Sequence, residues 1–108
     1  MITIDDFKKL EIRIGTILEA VRVPETDNLV RFTVDMGDEK RTIVSGIAKH
    51  FPDPSVLIGR QVPVLSNLEP KIIKGEESNG MILYAIEGGG KLVTISPSEQ
   101  VENGSEVR

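Results

Sequence analysis

The sequence predicts an all-β domain built as one small barrel, and three observations point there. Apolar residues recur at every second position through several short runs. Clusters of Gly, Pro, Asn and Asp punctuate the chain every ten residues or so, and no stretch sustains the 3.6-residue period of a long helix. At 108 residues the chain has the size of one domain, so residues 1–108 are expected to fold as a unit. A hydrophobic content of 39% suffices for a packed core and excludes the disordered class.

Each element has its own signal. Thr3-Ile4-Asp5-Asp6 sets a capping hydroxyl three residues before a carboxylate, which predicts a short helical turn through Phe7 and Leu10. From Leu10 to Val23 the period is two. Leu10, Ile12, Ile14, Leu18 and Ala20 fall on one face, and Gly15 is assigned to a bulge or sharp bend. Pro24 to Asn28 is a turn by composition. Val30, Phe32 and Val34 alternate inward, and Met36-Gly37-Asp38-Glu39 turns the chain into a third strand, Arg41 to Ser45. The stretch 46–59 is irregular. Ile47 to Phe51 is expected to form one helical turn, Pro52 and Pro54 to interrupt it, and Val56, Leu57 and Ile58 to plug the core.

Gln61 to Leu65 is the next strand, followed by a polar loop from Ser66 to Gly80. Met81 to Ile86 and Leu92 to Ile95 form a last pair joined across Gly88-Gly89-Gly90. Five or six short strands suit a small barrel or a sandwich, and closure would remove exposed sheet edges. A five-stranded Greek-key barrel with a short helical insertion between strands 3 and 4, here with extra terminal segments, is the OB-fold.

Composition excludes most chemistry. The absence of Cys removes disulfides, thiolate metal sites and cysteine nucleophiles together. His50 is the only histidine, has no partner for a zinc site, and reads as a structural residue beside Phe51. Gly88-Gly89-Gly90-Lys91 has Leu92 where a phosphate-cradling loop needs a hydroxyl, and it opens onto a strand rather than a helix. The adjacent pairs Asp5/Asp6, Asp38/Glu39 and Glu76/Glu77 read as solvated turns or caps. No catalytic residue, metal or cofactor is therefore expected, and the chain is not an enzyme on its own. Met81 to Ile86, the longest apolar run, is too short to span a bilayer, and Met1 to Asp6 lacks the pattern of a secretory signal. The expectation is a cytoplasmic domain with no membrane partner, in which Asn103-Gly104-Ser105 is a turn rather than a glycosylation site.

Charge is distributed unevenly. The net charge of −4 argues at first against a nucleic-acid partner. Between Lys40 and Gly75, however, six basic residues (Lys40, Arg41, Lys49, Arg60, Lys71, Lys74) face only two acidic ones, Asp53 and Glu69. That segment carries +4 and the remainder −8, consistent with one face for an acidic partner or with chance clustering of solvated side chains. Within it the loop 67–81 offers an amide (Asn67), two lysines (Lys71, Lys74), a hydroxyl (Ser78) and a thioether (Met81). Lysines neutralise phosphates, Asn and Ser bond phosphate and ribose oxygens, and Met lies softly against a base or sugar. The alternative is a long loop that closes the barrel with Ile72, Ile73 and Met81 tucked inward.

Several separated motifs, in order, then make the sequence resemble the tRNA-binding domain family. They are Ile12-Arg13-Ile14-Gly15, Val34-Asp35-Met36-Gly37, Arg41 to Gly46, Leu57-Ile58-Gly59, and above all Asn67-Leu68-x-Pro70-Lys71 followed by Gly75-x-x-Ser78-x-Gly80-Met81. The resemblance covers nearly the whole chain and is strongest to the C-terminal domain of methionyl-tRNA synthetase. It implies an OB-fold, usually a homodimer, that grips the outer corner of L-shaped tRNA by shape, beside a synthetase catalytic module as a further partner. Carried onto matching positions, the RNA contacts would be Asn67, Lys71, Ser78 and Met81, with Arg41 and Lys74 as electrostatic support. Thr26-Asp27-Asn28-Leu29 departs from the family's Ala-Asp-Lys-Leu by replacing a cation with an amide, and Tyr84 stands where a smaller residue is common. Two other readings stay open: a chaperone-like peptide-binding protein of the same fold, and a pure dimerisation module of a synthetase.

Overall fold

A computed structural model describes residues 1–108. Nine strands are present: β1 (Ile12–Arg22), β2 (Leu29–Asp35), β3 (Lys40–Gly46), β4 (Gln61–Leu65), β5 (Lys71–Ile73), β6 (Glu76–Ser78), β7 (Met81–Ile82), β8 (Tyr84–Ile86) and β9 (Leu92–Thr94). Helix is limited to α1 (Ile4–Phe7) and one 3-10 turn, Pro54–Leu57, between β3 and β4. None is long and apolar enough to cross a membrane. Five strands make one antiparallel sheet in the order β3-β2-β1-β4-β7, and two hairpins, β5–β6 and β8–β9, project from it.

The sheet curls into an OB-like barrel because β1 serves two partners. Its first half, Ile12 to Thr16, pairs with β4, and its second half, Thr16 to Arg22, pairs with β2. At the hand-over Gly15 sits where a Cβ would lie 2.6 Å from Val34 Cγ1 and 2.7 Å from Met36 Sδ, so only glycine permits the close crossing. The barrel closes where β6 and β7 return to β3. Asn79 N–H donates to Thr42 O at 2.8 Å, and Val44 N–H donates to Ser78 Oγ at 3.0 Å. The C-terminal tail adds to β1: Ile14 N–H donates to Ser105 O (2.8 Å) and Gly104 N–H to Ile14 O (2.7 Å). Asn103 Oδ1 accepts from Thr16 Oγ1 at 2.7 Å and from Gln61 Nε2 at 3.1 Å, so Asn103 is a structural turn residue.

Inside the barrel Ile17, Val30, Phe32, Val34, Met36, Ile43, Leu57, Val62, Val64 and Ile82 form the buried core. The inward alternation of Val30, Phe32 and Val34 is as expected, as are the turn at Met36–Glu39 and strand β4. The Thr3 capping box is present too, with Asp6 N–H donating to Thr3 Oγ1 and Thr3 N–H to Asp6 Oδ2.

Several details differ from the sequence expectation. The register irregularity in β1 lies between Ile17 and Glu19, not at Gly15. The extra residue there reverses the alternation, so Ile17 is buried while Leu18 turns outward, and Leu10 lies exposed ahead of the strand. Ile47 to Phe51 makes a single hydrogen-bonded turn, and the 3-10 turn starts later, at Pro54, with Asp53 as its cap. Pro54 thus opens a second element that the sequence did not announce, because its missing N–H is no loss at the first position of a helix. Of the three proposed plugs only Leu57 is buried, while Val56 and Ile58 are exposed. Most consequentially, the loop after Ser66 contains the β5–β6 hairpin.

Candidate nucleic-acid interface

The β5–β6 hairpin projects where the basic segment ends: β5 and the turn lie inside it, and β6, with Glu76 and Glu77, lies just beyond. Its cross-strand pairs are Lys71 with Ser78, Ile72 with Glu77 and Ile73 with Glu76. Two residues connect the strands, and both are left-handed, Lys74 at φ 52° and Gly75 at φ 81°. Two consecutive positive φ values define the turn whose twist suits a hairpin, and its first position normally favours Asn, Asp or Gly. A lysine there is conformationally costly, and it holds its ammonium at the tip. Lys71 and Lys74 are exposed and make no ion pair within 4.0 Å. Ile72 points outward with 72% of its surface accessible, so the picture of apolar residues tucked under a closing loop does not hold for it.

The remaining expected site residues fall into two groups. Met81 is exposed on β7, next to the hairpin's return, opposite Leu65. Ser78, Asn67 and Arg41 are instead engaged with the protein. Ser78 is buried, and its hydroxyl accepts from Val44 N–H in the barrel seam. Asn67 joins the chain ends of α1 and β1, donating to Lys9 O at 2.7 Å and accepting from Glu11 N–H at 2.9 Å. Arg41 donates from Nη1 to Ser66 O and from Nε to Glu39 Oε1 at 2.8 Å, with its side chain 13% exposed. The hydrogen bond from Arg41, with its positive charge and that of Arg13, holds the Glu39 carboxyl below its ordinary range. Lys71, Lys74 and Met81 are thus presented to solvent, whereas Arg41, Asn67 and Ser78 fix the segment that presents them.

The hairpin also borders a polar cleft of about 550 Å³ between itself and the outer face of β2 and β3. Its lining has no apolar residue: Arg31, Lys40 and Arg41 face the carboxylates of Glu76 and Glu77, with Thr42 and Asn79 between, and Arg31 Nη1 donates to Glu76 Oε1 at 2.7 Å. Arg31 and Asn79 carried no motif, and Thr42 belonged to one without being singled out; the pairing of β2 with β3, which sets Arg31 opposite Val44 and Thr33 opposite Thr42, is what brings Arg31 and Thr42 together. A second groove, of about 570 Å³, lies between α1, the start of β1 and the C-terminal tail; Ile4, Phe7, Leu10, Ile12 and Val107 supply half of its lining, and charged residues such as Arg13 and Glu106 the other half. Asn28, at the departure from the family pattern, ties its turn to the end of β3 and the segment that follows it. It donates to Gly46 O at 2.8 Å and accepts from Lys49 N–H at 2.8 Å.

A small OB-like barrel whose hairpin exposes two lysines free of ion pairs, beside a polar cleft, has the features of a nucleic-acid-binding module. Comparison with known proteins narrows this. Residues 12–106 match the family model described as "Putative tRNA binding domain". The chain is 53% identical over 107 residues to a methionine–tRNA ligase of Parabacteroides distasonis, and 50% identical over 107 residues to that of Porphyromonas gingivalis. It covers 99% of itself in both matches but spans only 16% of the length of those relatives. Among solved structures it superposes on a MetRS-related protein from Pyrococcus horikoshii with a TM-score of 0.94 at 36% identity, covering 100% of this chain and 98% of that one. The chaperone CsaA of Bacillus anthracis gives 0.88 at 28% identity, with 100% and 99% covered. The chain belongs to the tRNA-binding domain family.

Proposed function

We propose that this domain binds folded tRNA through its backbone, gripping the outer corner of the L-shape by form rather than by sequence, and performs no catalysis itself. The observation that carries this reading is the β5–β6 hairpin, which displays Lys71 and a left-handed Lys74 free of ion pairs. A phosphate meeting these ammonium groups displaces no internal partner, and Met81 beside them offers a soft contact for a sugar or base face. Ser78, Asn67 and Arg41 act by holding that surface in place. The acidic remainder of the chain repels phosphate elsewhere and so restricts the docking orientation. Joined to a methionyl-tRNA synthetase catalytic module, such a domain raises the local concentration of tRNA there.

The reading includes a homodimer, supported by the groove at Ile4, Phe7, Leu10, Ile12 and Val107, where exposed apolar side chains ringed by charged ones offer a surface for a second copy. The likeness to CsaA favours a second reading in which that groove binds unfolded peptide. The two differ in salt response. Fluorescence anisotropy with labelled tRNA tests the first: Lys71→Ala with Lys74→Ala should flatten the slope of log K against log salt by roughly 1.4–1.8, at 0.7–0.9 per phosphate contact. An unchanged slope rejects it, and salt-insensitive capture of an unfolded peptide by monomers supports the second.

A further inference from the structure

We propose that Asn79 is a self-modifying site: in the folded protein it deamidates through the Gly80 amide, whereas the chain's other Asn-Gly pair, Asn103-Gly104, is held inert by its hydrogen bonds. All four residues are partly buried, so exposure does not distinguish the pairs. The fold demands both glycines. Gly80 has φ 128°, and a Cβ there would lie 3.2 Å from Leu65 O; Gly104 has φ 92°, and a Cβ there would lie 2.8 Å from Met36 O. A glycine after Asn leaves the main-chain nitrogen unhindered, so deamidation then needs only a free side chain and a free N–H. The pairs differ in those two requirements. Asn103 Oδ1 accepts from Thr16 Oγ1 and Gln61 Nε2, and Gly104 N–H donates to Ile14 O at 2.7 Å. These bonds must open before Gly104 N can turn onto Asn103 Cγ. Asn79 is anchored by its own N–H, which donates to Thr42 O at 2.8 Å, while its side-chain amide and the Gly80 N–H make no hydrogen bond within the protein.

The reaction consumes one water and no other reagent. Gly80 N attacks Asn79 Cγ, a new C–N bond forms, the Cγ–Nδ2 bond breaks, and ammonia leaves with the proton from Gly80. Water then opens the five-membered imide at either carbonyl. Opening at Cγ gives aspartate. Opening at the main-chain carbonyl leaves the chain running through Cγ as isoaspartate, longer by one carbon. Either product adds a carboxylate where Glu76 and Glu77 already stand and makes the net charge one unit more negative than −4. Isoaspartate also lengthens the two-residue link between β6 and β7, beside the Asn79–Thr42 and Val44–Ser78 bonds that close the barrel.

The test holds the full folded chain in warm, mildly alkaline buffer, follows both sites by peptide mass mapping, and repeats the course in denaturant. In the folded chain Asn79 should convert at least roughly tenfold faster than Asn103, which hydrogen bonds of ordinary strength guard. In denaturant the two sites should convert at comparable rates, because both are Asn-Gly. Conversion of Asn79 no faster than that of Asn103 in the folded chain, or a preference for Asn79 that persists in denaturant, overturns the proposal. A second arm reads the consequence for the fold. The isoaspartate form, separated by ion exchange, should melt below the Asn79→Asp variant, which carries the new charge without the extra carbon. Coincident melts would overturn the loosening of the seam.

Discussion

On the proposed RNA-binding reading, Ser78 builds the binding surface rather than touching the ligand. Its hydroxyl accepts the Val44 amide at 3.0 Å across the seam where the barrel closes, and both residues are buried. Ser78→Ala deletes one partner and leaves the other in place. Val44 N–H then has no acceptor and little access to water. An orphaned buried donor costs about 1–3 kcal/mol, more than the net value of an ordinary hydrogen bond. With an unfolding entropy of roughly 2.1 cal/mol/K per residue, that is a fall in Tm of about 4–13 °C for a domain this size. Circular dichroism melts measure it directly. Below the new transition the folded variant should bind tRNA with an unchanged salt slope, because no charge has been removed. A variant that melts with wild type yet binds tRNA more weakly would refute the reasoning and make Ser78 a direct contact.

Other consequences follow from the same geometry. Gly15→Ala places a Cβ 2.6 Å from Val34 Cγ1 and 3.0 Å from Asp35 O, and should cost about 1–3 kcal/mol, read as a lower urea midpoint at constant m. Asn67→Ala releases Lys9 O and Glu11 N–H, so the Glu11 amide should lose hydrogen-exchange protection while global stability falls by about 1 kcal/mol. Tyr84 Oη is buried with no hydrogen bond of normal geometry, and burial pushes its phenol above the ordinary value of 10.0, with the Ser45 side chain beside it opposing the shift. Since the unfolded phenol ionises first, stability should decline as pH rises past that ordinary value. Tyr84→Phe should flatten this alkaline loss and leave the melt at neutral pH unchanged or raised by the removal of an unsatisfied hydroxyl.

The barrel was legible because its strands are half-buried and therefore alternate. Val30, Phe32 and Val34 stand where the period of two places them, while Gln61–Leu65, buried along its whole length, and the turn at Gly37 were bounded by their flanking Gly and polar residues. Alternation fails where a bulge changes parity. Nothing in Ile14 to Ala20 distinguishes Ile17 inward from Leu18 inward until the pairing with Thr33 and Val34 is known. The hairpin was hidden for a different reason. Lys71–Ile73 and Glu76–Ser78 are only three residues each, half charged, and joined by Lys-Gly where the usual signal is Asn-Gly. Among the site residues, the exposure of Lys71 and Lys74 follows from their charge. The inward roles of Ser78, Asn67 and Arg41 depend on partners 34, 56 and 25 residues away in sequence, which no local pattern carries. The −4 net charge misled in the same way, because it averages a +4 segment that ends in Lys71 and Lys74 with an acidic remainder that resumes at Glu76.

The central claim is that the hairpin and its supporting barrel read the shape of folded tRNA. The most direct measurement is an anisotropy titration of the domain against one tRNA preparation, half kept folded and half heat-unfolded, at matched salt. Backbone contacts arranged on a rigid surface predict clearly tighter binding to the folded half and a steep salt dependence for it. Equal affinity for the two would contradict the claim.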